Sequence, residues 1–258
     1  MLCRDIMKVI ETTYPKHAAL EWDNVGLLVG RTEKEVKKIY VALDATDEVI
    51  DDAILRDADM LITHHPLLFS PLKQITDEHF IGSRVVKLLQ HDISYYAMHT
   101  NYDVLGMAEL SGVILGLSDM EVLEVTDSEQ MEGIGRVGEL SKEMTLQECC
   151  ELVKEKFQLE NVKVFGDVNK VVKRVAISPG SGKGMADIAL GKHAEVLITG
   201  DIAHHEGIDA VAQGIAIVDA GHYGLEHIFV DDMVIYLAKH FSDIKIQRSE
   251  NIHPFQVI

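Results

Sequence analysis

The sequence has few cysteines and no long hydrophobic run. Its 258 residues include only 3 Cys, two of them adjacent, which is a poor basis for a disulfide framework. No stretch approaches the ~18–20 consecutive apolar residues of a membrane-spanning helix. Arg4, Asp5 and Lys8 interrupt the N-terminus, where a signal peptide needs an apolar segment. We therefore expect a soluble, cytoplasmic protein with no membrane partner.

Positive charge is also scarce. The chain has 24 Lys and Arg against 42 Asp and Glu, which gives a formal net charge of −18. Such an acidic field repels phosphate backbones, so we do not expect nucleic acid as a partner. Hydrophobic residues make up 47% of the chain, as in folded domains, which excludes a disordered chain. The length predicts one large domain or two small ones.

The order of sequence patterns predicts an α/β protein. Over residues 38–98, apolar β-prone runs alternate with segments of helical spacing, in the order strand, helix, strand, helix, strand. The same order returns over residues 175–218, where 194–199 repeats 58–63 almost position for position. Duplication explains this match, although buried strands share a small alphabet and any two α/β segments look alike. We expect two halves of similar topology with mostly parallel sheets, an N-terminal half over 1–117 and a C-terminal half over 118–258.

Three strand ends of this arrangement carry histidine and carboxylate together, and ligands bind beyond the carboxyl ends of parallel strands. His64 and His65 follow the first of these strands, and Asp103 follows the second. His222 and Glu226 follow the third, four residues apart on one helix face. Three imidazoles and two carboxylates are about right for two divalent metal ions when carboxylates bridge and water completes the coordination. Mixed ligands of this kind suit Zn, Fe, Mn or Ni.

Other residues at these strand ends are alternatives, because they could replace members of the set or orient them. They are His99, Asp201, His204, His205 and His227. Each proposed ligand also has a structural interpretation by itself. Asp103 could cap the next helix, and Glu226 could complement a helix dipole. His99 is the candidate catalytic residue, since an imidazole at this position could transfer protons.

A glycine-rich turn, residues 178–184, follows the first strand of the second half. Gly180, Gly182 and Lys183 lie in it, but the spacing is not that of a Walker phosphate loop. Backbone N–H groups before a helix can still bind an anion, and Lys183 adds a positive charge. We therefore expect a phosphate contact here, with a flexible loop as the alternative.

Six motifs in this order resemble a known family. They are WDNVGL at 22–27, LITHHPL at 61–67, HTNYD at 99–103, GIGRVG at 133–138, LITGD at 197–201 and GHYGLE at 221–226. Together they are similar to the Nif-three-like family, whose members are called GTP cyclohydrolase I type 2 homologues or dinuclear-metal-centre proteins. The resemblance implies two interlinked α/β halves, a dinuclear metal cleft between them with the five ligands named above, and a homohexameric ring. The chain is too short for the domain that some members insert between the halves.

The resemblance also implies a function. It is that of a metal-dependent hydrolase acting on a nucleotide, which opens the guanine imidazole ring of GTP with water and releases formate. Two alternatives stay open at this point. One is a non-catalytic metal-binding regulatory or scaffold ring protein, and the other is a two-metal phosphoesterase or amidohydrolase.

Overall fold

The computed structural model describes residues 1–251 and 253–256, in which the chain forms two compact units. The first unit consists of Met1–Tyr102 and Phe229–Asn251. The second unit consists of Asp103–Ile228 with the described residues of 253–256. The chain therefore crosses from the first unit to the second and back, and its described residues 253–256 again belong to the second unit.

Strands and helices alternate along most of the chain, as an α/β fold requires. The strands are β1 (Gly26–Val29), β2 (Lys38–Ala42), β3 (Met60–Thr63), β4 (Ser94–Ala97), β5 (Ser118–Asp127), β6 (Glu132–Thr145), β7 (Lys163–Phe165), β8 (Val171–Ser181), β9 (Val196–Gly200), β10 (Ala216–Asp219) and β11 (Lys245–Arg248). The α-helices are α1 (Cys3–Thr13), α2 (Asp47–Leu55), α3 (Phe80–Gln90), α4 (Thr100–Tyr102), α5 (Ala108–Leu115), α6 (Leu146–Phe157), α7 (Met185–Gly191), α8 (His204–Gln213), α9 (His222–Glu226) and α10 (Ile228–His240). A 3₁₀ turn covers Lys16–Ala18, and a π-helical segment, Asp103–Met107, joins α4 to α5. Within the described part of the chain, no helix is long and apolar enough to cross a bilayer.

The first unit contains a five-stranded sheet in the order β1-β4-β3-β2-β11. The pairs β4–β3, β3–β2 and β2–β11 are parallel, and β1 is antiparallel to β4. Every residue of β3 and β4 is buried, because helices cover both faces of a parallel sheet. This explains why the sequence of β3 is apolar without alternation, and the mostly parallel arrangement agrees with the prediction.

The second unit contains a six-stranded sheet in the order β5-β6-β8-β9-β10-β7. Only β8–β9 and β9–β10 are parallel, whereas β5–β6, β6–β8 and β10–β7 are antiparallel. The expectation of a mostly parallel sheet is therefore wrong for this unit. The reason is that residues 118–145 form a long hairpin on one edge of the parallel core, and the short β7 adds an antiparallel strand to the other edge. The fold remains the two-sheet α/β class that the sequence predicts.

The division of the chain differs from the predicted boundary between residues 117 and 118. Residues 103–117 group with the second unit, where α5 packs against β6 and β8. Residues 229–251 group with the first unit, where β11 pairs with β2 in parallel. Both differences arise from long-range pairings, which sequence order does not indicate.

The parallel cores of the two units repeat the same pattern, β2-α2-β3-α3-β4 in the first and β8-α7-β9-α8-β10 in the second. The acidic residue of the repeated motif accepts equivalent backbone hydrogen bonds in both units. Asp59 accepts hydrogen bonds from the backbone N–H groups of Lys37 and Lys38, at 2.8 and 3.0 Å. Glu195 accepts from the backbone N–H groups of residues 173–174, at 2.6 and 3.1 Å. Because the two acidic residues accept the same kind of hydrogen bond at matched positions, duplication explains the repeat better than chance similarity does.

Candidate metal centre

Three imidazoles of the first unit come together at the carboxyl end of its sheet. His64 and His65 directly follow β3, and His99 follows β4 by two residues. One ligand atom from each ring lies within 4.8 Å of the other two. Because β3 and β4 are parallel neighbours, their carboxyl ends bring these side chains to one edge. We call this group the imidazole set.

Each ring of the imidazole set is oriented by a hydrogen bond to its Nδ1 atom. The acceptors for His64, His65 and His99 are the carbonyl oxygen of Met98 (2.7 Å), Oδ1 of Asp44 (2.8 Å) and Oδ1 of Asp23 (2.9 Å). Because a carbonyl or a carboxylate can only accept, Nδ1 carries the proton of each neutral ring and Nε2 presents its lone pair. Histidines that bind metals are usually held this way by a second hydrogen bond. The imidazole set therefore has the chemistry of metal ligands.

Asp23, the group that orients His99, is held by further hydrogen bonds of its own. Its side chain is fully buried and also accepts hydrogen bonds from the backbone N–H and the hydroxyl of Thr100, at 2.9 and 2.5 Å. Burial opposes its charge, but the hydrogen bonds from His99 and Thr100 outweigh it and lower the pKa of Asp23 to about 2. Asp23 is therefore an anion at neutral pH and fixes both the position and the tautomer of His99.

The second unit contains a group of two carboxylates and one imidazole, which we call the acidic set. Asp103 begins the π-helical segment, a geometry that is frequent at functional sites. Glu226 ends α9 and is 2% exposed. The ligand oxygens of these two carboxylates lie within 4.8 Å of each other. Nε2 of His222 lies 3.0 Å from Oε2 of Glu226, as their spacing of one helical turn predicts.

His222 lies between two carboxylates. Its Nε2 faces Glu226, and its Nδ1 is 2.7 Å from Oδ2 of Asp201. Burial opposes a positive charge on the ring, but the hydrogen bonds and charges of Glu226 and Asp201 outweigh it and raise the pKa of His222 to about 9. In the metal-free protein the ring is protonated at neutral pH, so a metal ion must displace that proton in order to bind.

The glycine-rich turn lies beside the acidic set. Gly180 has φ +81°, and a side chain at this position would begin 2.5 Å from Oε1 of Glu226, so only glycine leaves room for the carboxylate. Gly182 lies against the side chain of Thr199, and Lys183 is exposed to solvent. Gly180 therefore has a packing role toward Glu226, and the phosphate contact of this turn stays a prediction.

The alternative residues have different outcomes. His99 joins the imidazole set, and Asp201 orients His222. His204 and His205 lie next to each other on α8, and His227 hydrogen-bonds to backbone carbonyls of residues 223–224. Among the residues that the structure describes, none of these three histidines joins a group that could hold a metal ion.

Sequence reasoning did not predict that Asp23 and Asp44 orient His99 and His65, although it placed Asp44 in a turn that could face the site or cap the next helix. Asp44 could have been found, because it follows β2 by two residues and β2 is the parallel neighbour of β3. Asp23 lies in the turn before β1, far from His99 along the chain. Nothing in local spacing connects Asp23 with His99.

Comparison with known families agrees with this picture. A family model described as Duf34/NIF3 (NGG1p interacting factor 3) matches residues 1–254. The chain belongs to the Duf34/NIF3 family. The resemblance seen in the six sequence motifs is thereby confirmed.

Relatives within the Duf34/NIF3 family cover almost the whole chain. A protein of Clostridium perfringens named GTP cyclohydrolase 1 type 2 homolog is 38% identical over 228 residues, which are 88% of this chain and 87% of that protein. A crystal structure of a hypothetical protein from Staphylococcus aureus superposes with a TM-score of 0.92 at 30% identity, covering 100% of this chain and 99% of the other. A Bacillus cereus protein described as related to NIF3 has a TM-score of 0.91 at 26% identity, covering 100% and 99%. The fold is therefore that of NIF3-related proteins.

Replacing Asp23 by asparagine is expected to lower the free energy of unfolding of this Duf34/NIF3 protein by about 2 kcal/mol at neutral pH. The pKa of Asp23 is lowered from 3.8 to about 2, so its contribution is fully present above pH 3.8 and is lost as the pH falls toward 2. Denaturant unfolding of the metal-free parent protein and variant, at neutral pH and at a pH between 2 and 3.8, measures the stability difference and its decrease on acidification.

The matched control for this prediction is Asp77→Asn, because Asp77 is exposed. We expect the control to unfold like the parent protein at every pH. An Asp23→Asn variant that loses stability on acidification as steeply as the parent protein would show that Asp23 is not the group responsible.

Proposed function

We propose that this chain is a metal-dependent hydrolase that acts on a nucleotide, with GTP ring opening and formate release as its reaction. His64, His65, Asp103, His222 and Glu226 would hold two divalent metal ions. The observation that carries the proposal is the shared orientation of the imidazole set, in which every Nδ1 donates to an acceptor, so that Nε2 is the metal-binding atom of each neutral ring. The names of the curated relatives support the choice of reaction.

The connectivity of the chain supports assigning both sets to one pair of ions. Asp103 directly follows Tyr102, the last residue of the first stretch of the first unit, and Glu226 comes shortly before Phe229, where the chain returns to that unit. Within the first unit, the ring of His64 packs on both Tyr102 and Phe229, with ring centroids 6.1 and 5.2 Å apart. At each of these two crossings, the first-unit residue that packs on His64 thus lies within three residues of a proposed carboxylate ligand in sequence.

A bound metal pair would supply hydroxide at neutral pH, because divalent ions lower the pKa of coordinated water. The chain's own residues have three further tasks in this proposal. His99, held by Asp23, would give or take a proton through Nε2. Asp44 and Asp201 keep His65 and His222 in the orientation that binding needs. Lys183, with the backbone at Gly180 and Gly182, would contact the triphosphate.

The test is turnover by purified protein loaded with Zn, Fe, Mn or Ni and offered GTP and a panel of phosphoesters and amides. We expect formate release that depends on metal and is lost in His64→Ala and Glu226→Ala. The matched control is Glu160→Ala, which removes an exposed carboxylate. Phosphate or amine release without formate would favour the phosphoesterase or amidohydrolase alternative. Stoichiometric metal without any turnover would favour a non-catalytic metal-binding protein.

We also propose that the chain assembles as a homohexameric ring, on the basis of its family membership. Light scattering of the purified protein should give a mass six times that of the 28.7 kDa chain. A mass equal to that of one chain across the accessible concentrations would contradict the ring.

A further inference from the structure

Two exposed aromatic rings lie on the imidazole set. Trp22 is 62% exposed and Phe69 is 53% exposed. Their ring centroids lie 5.8 and 5.6 Å from that of His99, and both rings are nearly perpendicular to it, at 73° and 89°. Large aromatic side chains that remain exposed to solvent beside a cluster of potential metal-ligating side chains are typical of ligand sites.

The loops that carry these rings are held firmly. Asp23, next to Trp22, is buried and accepts three hydrogen bonds from His99 and Thr100. The backbone N–H of Leu20 donates to the hydroxyl of Thr100 at 2.9 Å. The amide of Asn24 donates to the backbone carbonyl of the residue before Phe69, at 2.6 Å, and so ties the two loops together. The backbone that carries the exposed rings is therefore held in place, which lowers the entropy cost of binding a ligand.

We propose that Trp22 and Phe69 form a stacking subsite for a planar heteroaromatic ring, which on the proposed function is the purine base of the substrate. Aromatic side chains stack on the flat π-face of a base. Because every base has such a face, the subsite accepts guanine and adenine alike. A ligand without an aromatic ring has nothing to stack. The subsite therefore holds the base of a nucleotide beside the imidazole set, and the choice between bases is made elsewhere.

The experiment uses Trp22 as its own reporter, because it is the only tryptophan of the chain. Metal-free protein is titrated with guanosine, adenosine and ribose while tryptophan fluorescence is recorded. Neutral ligands and absent metal remove any contribution of phosphate coordination. We expect both nucleosides to change the fluorescence in a saturable way and ribose to have no effect. In Phe69→Ala the dissociation constant should rise about tenfold, and in Phe69→Tyr it should stay close to that of the parent protein.

The matched control is Phe80→Ala, which removes a similarly exposed ring (57%) that packs on His79. Circular dichroism of each variant establishes that it is folded. Equal affinities in Phe69→Ala and Phe80→Ala would overturn the subsite. So would a response to ribose equal to that to guanosine, or fluorescence that changes with protein dilution alone, which would mean that a second copy covers Trp22.

Failure of the subsite can be told apart from failure of the proposed hydrolysis. Saturable nucleoside binding without formate release leaves the subsite standing and removes the hydrolase. Formate release with equal Michaelis constants in the parent protein and Phe69→Ala leaves the hydrolase and removes the subsite.

Discussion

Replacing Glu226 by alanine is expected to lower the affinity for divalent metal ions about 100-fold or more. Loss of a group that merely orients a ligand typically costs 10- to 100-fold, and Glu226 is proposed as a ligand itself. It is buried, lies within 4.8 Å of the ligand oxygen of Asp103 and contacts Nε2 of His222 at 3.0 Å. Isothermal titration with Zn or Mn measures the affinity in the variant and in the parent protein.

The same substitution has a second readout in the metal-free protein. Without Glu226, His222 loses the larger of the two carboxylate contributions that raise its pKa, so this pKa should fall from about 9 toward its ordinary 6.5. A raised pKa stabilises the fold fully below pH 6.5 and no longer does so once the pH has risen above 9. The difference in unfolding free energy between the parent protein and the variant should therefore narrow as the pH rises through this window.

Two further variants separate the effect of the Glu226 charge from the effects of side-chain shape and of removing any carboxylate. Glu226→Gln keeps the shape of the side chain but not its charge, and it should bind metal nearly as poorly as Glu226→Ala. Glu160→Ala removes an exposed carboxylate and should bind metal like the parent protein. If folded Glu226→Ala bound metal as tightly as the parent protein, Glu226 would not be a metal ligand. If the pKa of His222 were the same in both proteins, Glu226 would not form an ion pair with His222.

Replacing Gly200 by alanine is expected to lower the free energy of unfolding by about 3 kcal/mol, at the upper end of overpacking effects. A Cβ at this position would lie 2.4 Å from the backbone nitrogen of His222, 2.6 Å from the carbonyl carbon of Gly221 and 2.8 Å from the backbone oxygen of Gly180. All three are backbone atoms, so no rotamer change can relieve the overlap. The loop ends of β8, β9 and β10 must move apart, and the acidic set moves with them.

Gly191→Ala is the natural control for Gly200→Ala. Among the residues that the structure describes, none has an atom within 4 Å of a Cβ at Gly191, and Gly191 ends α7. Alanine is the better helix former by about 1 kcal/mol, so this variant should be as stable as the parent protein or slightly more stable. Denaturant unfolding of metal-free protein compares them. Equal stability of the two variants would mean that the close approach at Gly200 is not a constraint.

The grouping of the imidazole set could be predicted because it follows from a general property of parallel sheets. Polar residues that directly follow buried strands must lie at one edge, so His64 and His65 could be placed without any knowledge of the fold. His222 and Glu226 could be paired for a similar reason, since four residues make one helical turn. The repeated motif also predicted the parallel core of the second unit. In the structure its acidic residues accept hydrogen bonds from equivalent backbone N–H groups in both units.

The remaining features depend on contacts between distant segments, and local patterns contain no information on these. The hairpin β5–β6 joins the second sheet through antiparallel pairing with β8, which no periodicity in residues 118–145 indicates. The role of Asp23 depends on a hydrogen bond to His99, which is far away in sequence. The requirement for glycine at position 180 is likewise visible only once Glu226 is placed against it.

The parallel pairing of β2 with β11 has a consequence for synthesis on the ribosome. The edge of β2 stays without its partner until residues 245–248 have been made, which at typical elongation rates takes about 10–40 s after β2 itself emerges. Unpaired strand edges readily recruit other chains. Nascent copies of this protein are therefore exposed to intermolecular pairing during almost the whole of translation, and a strongly negative charge of −18 is one means of keeping them apart.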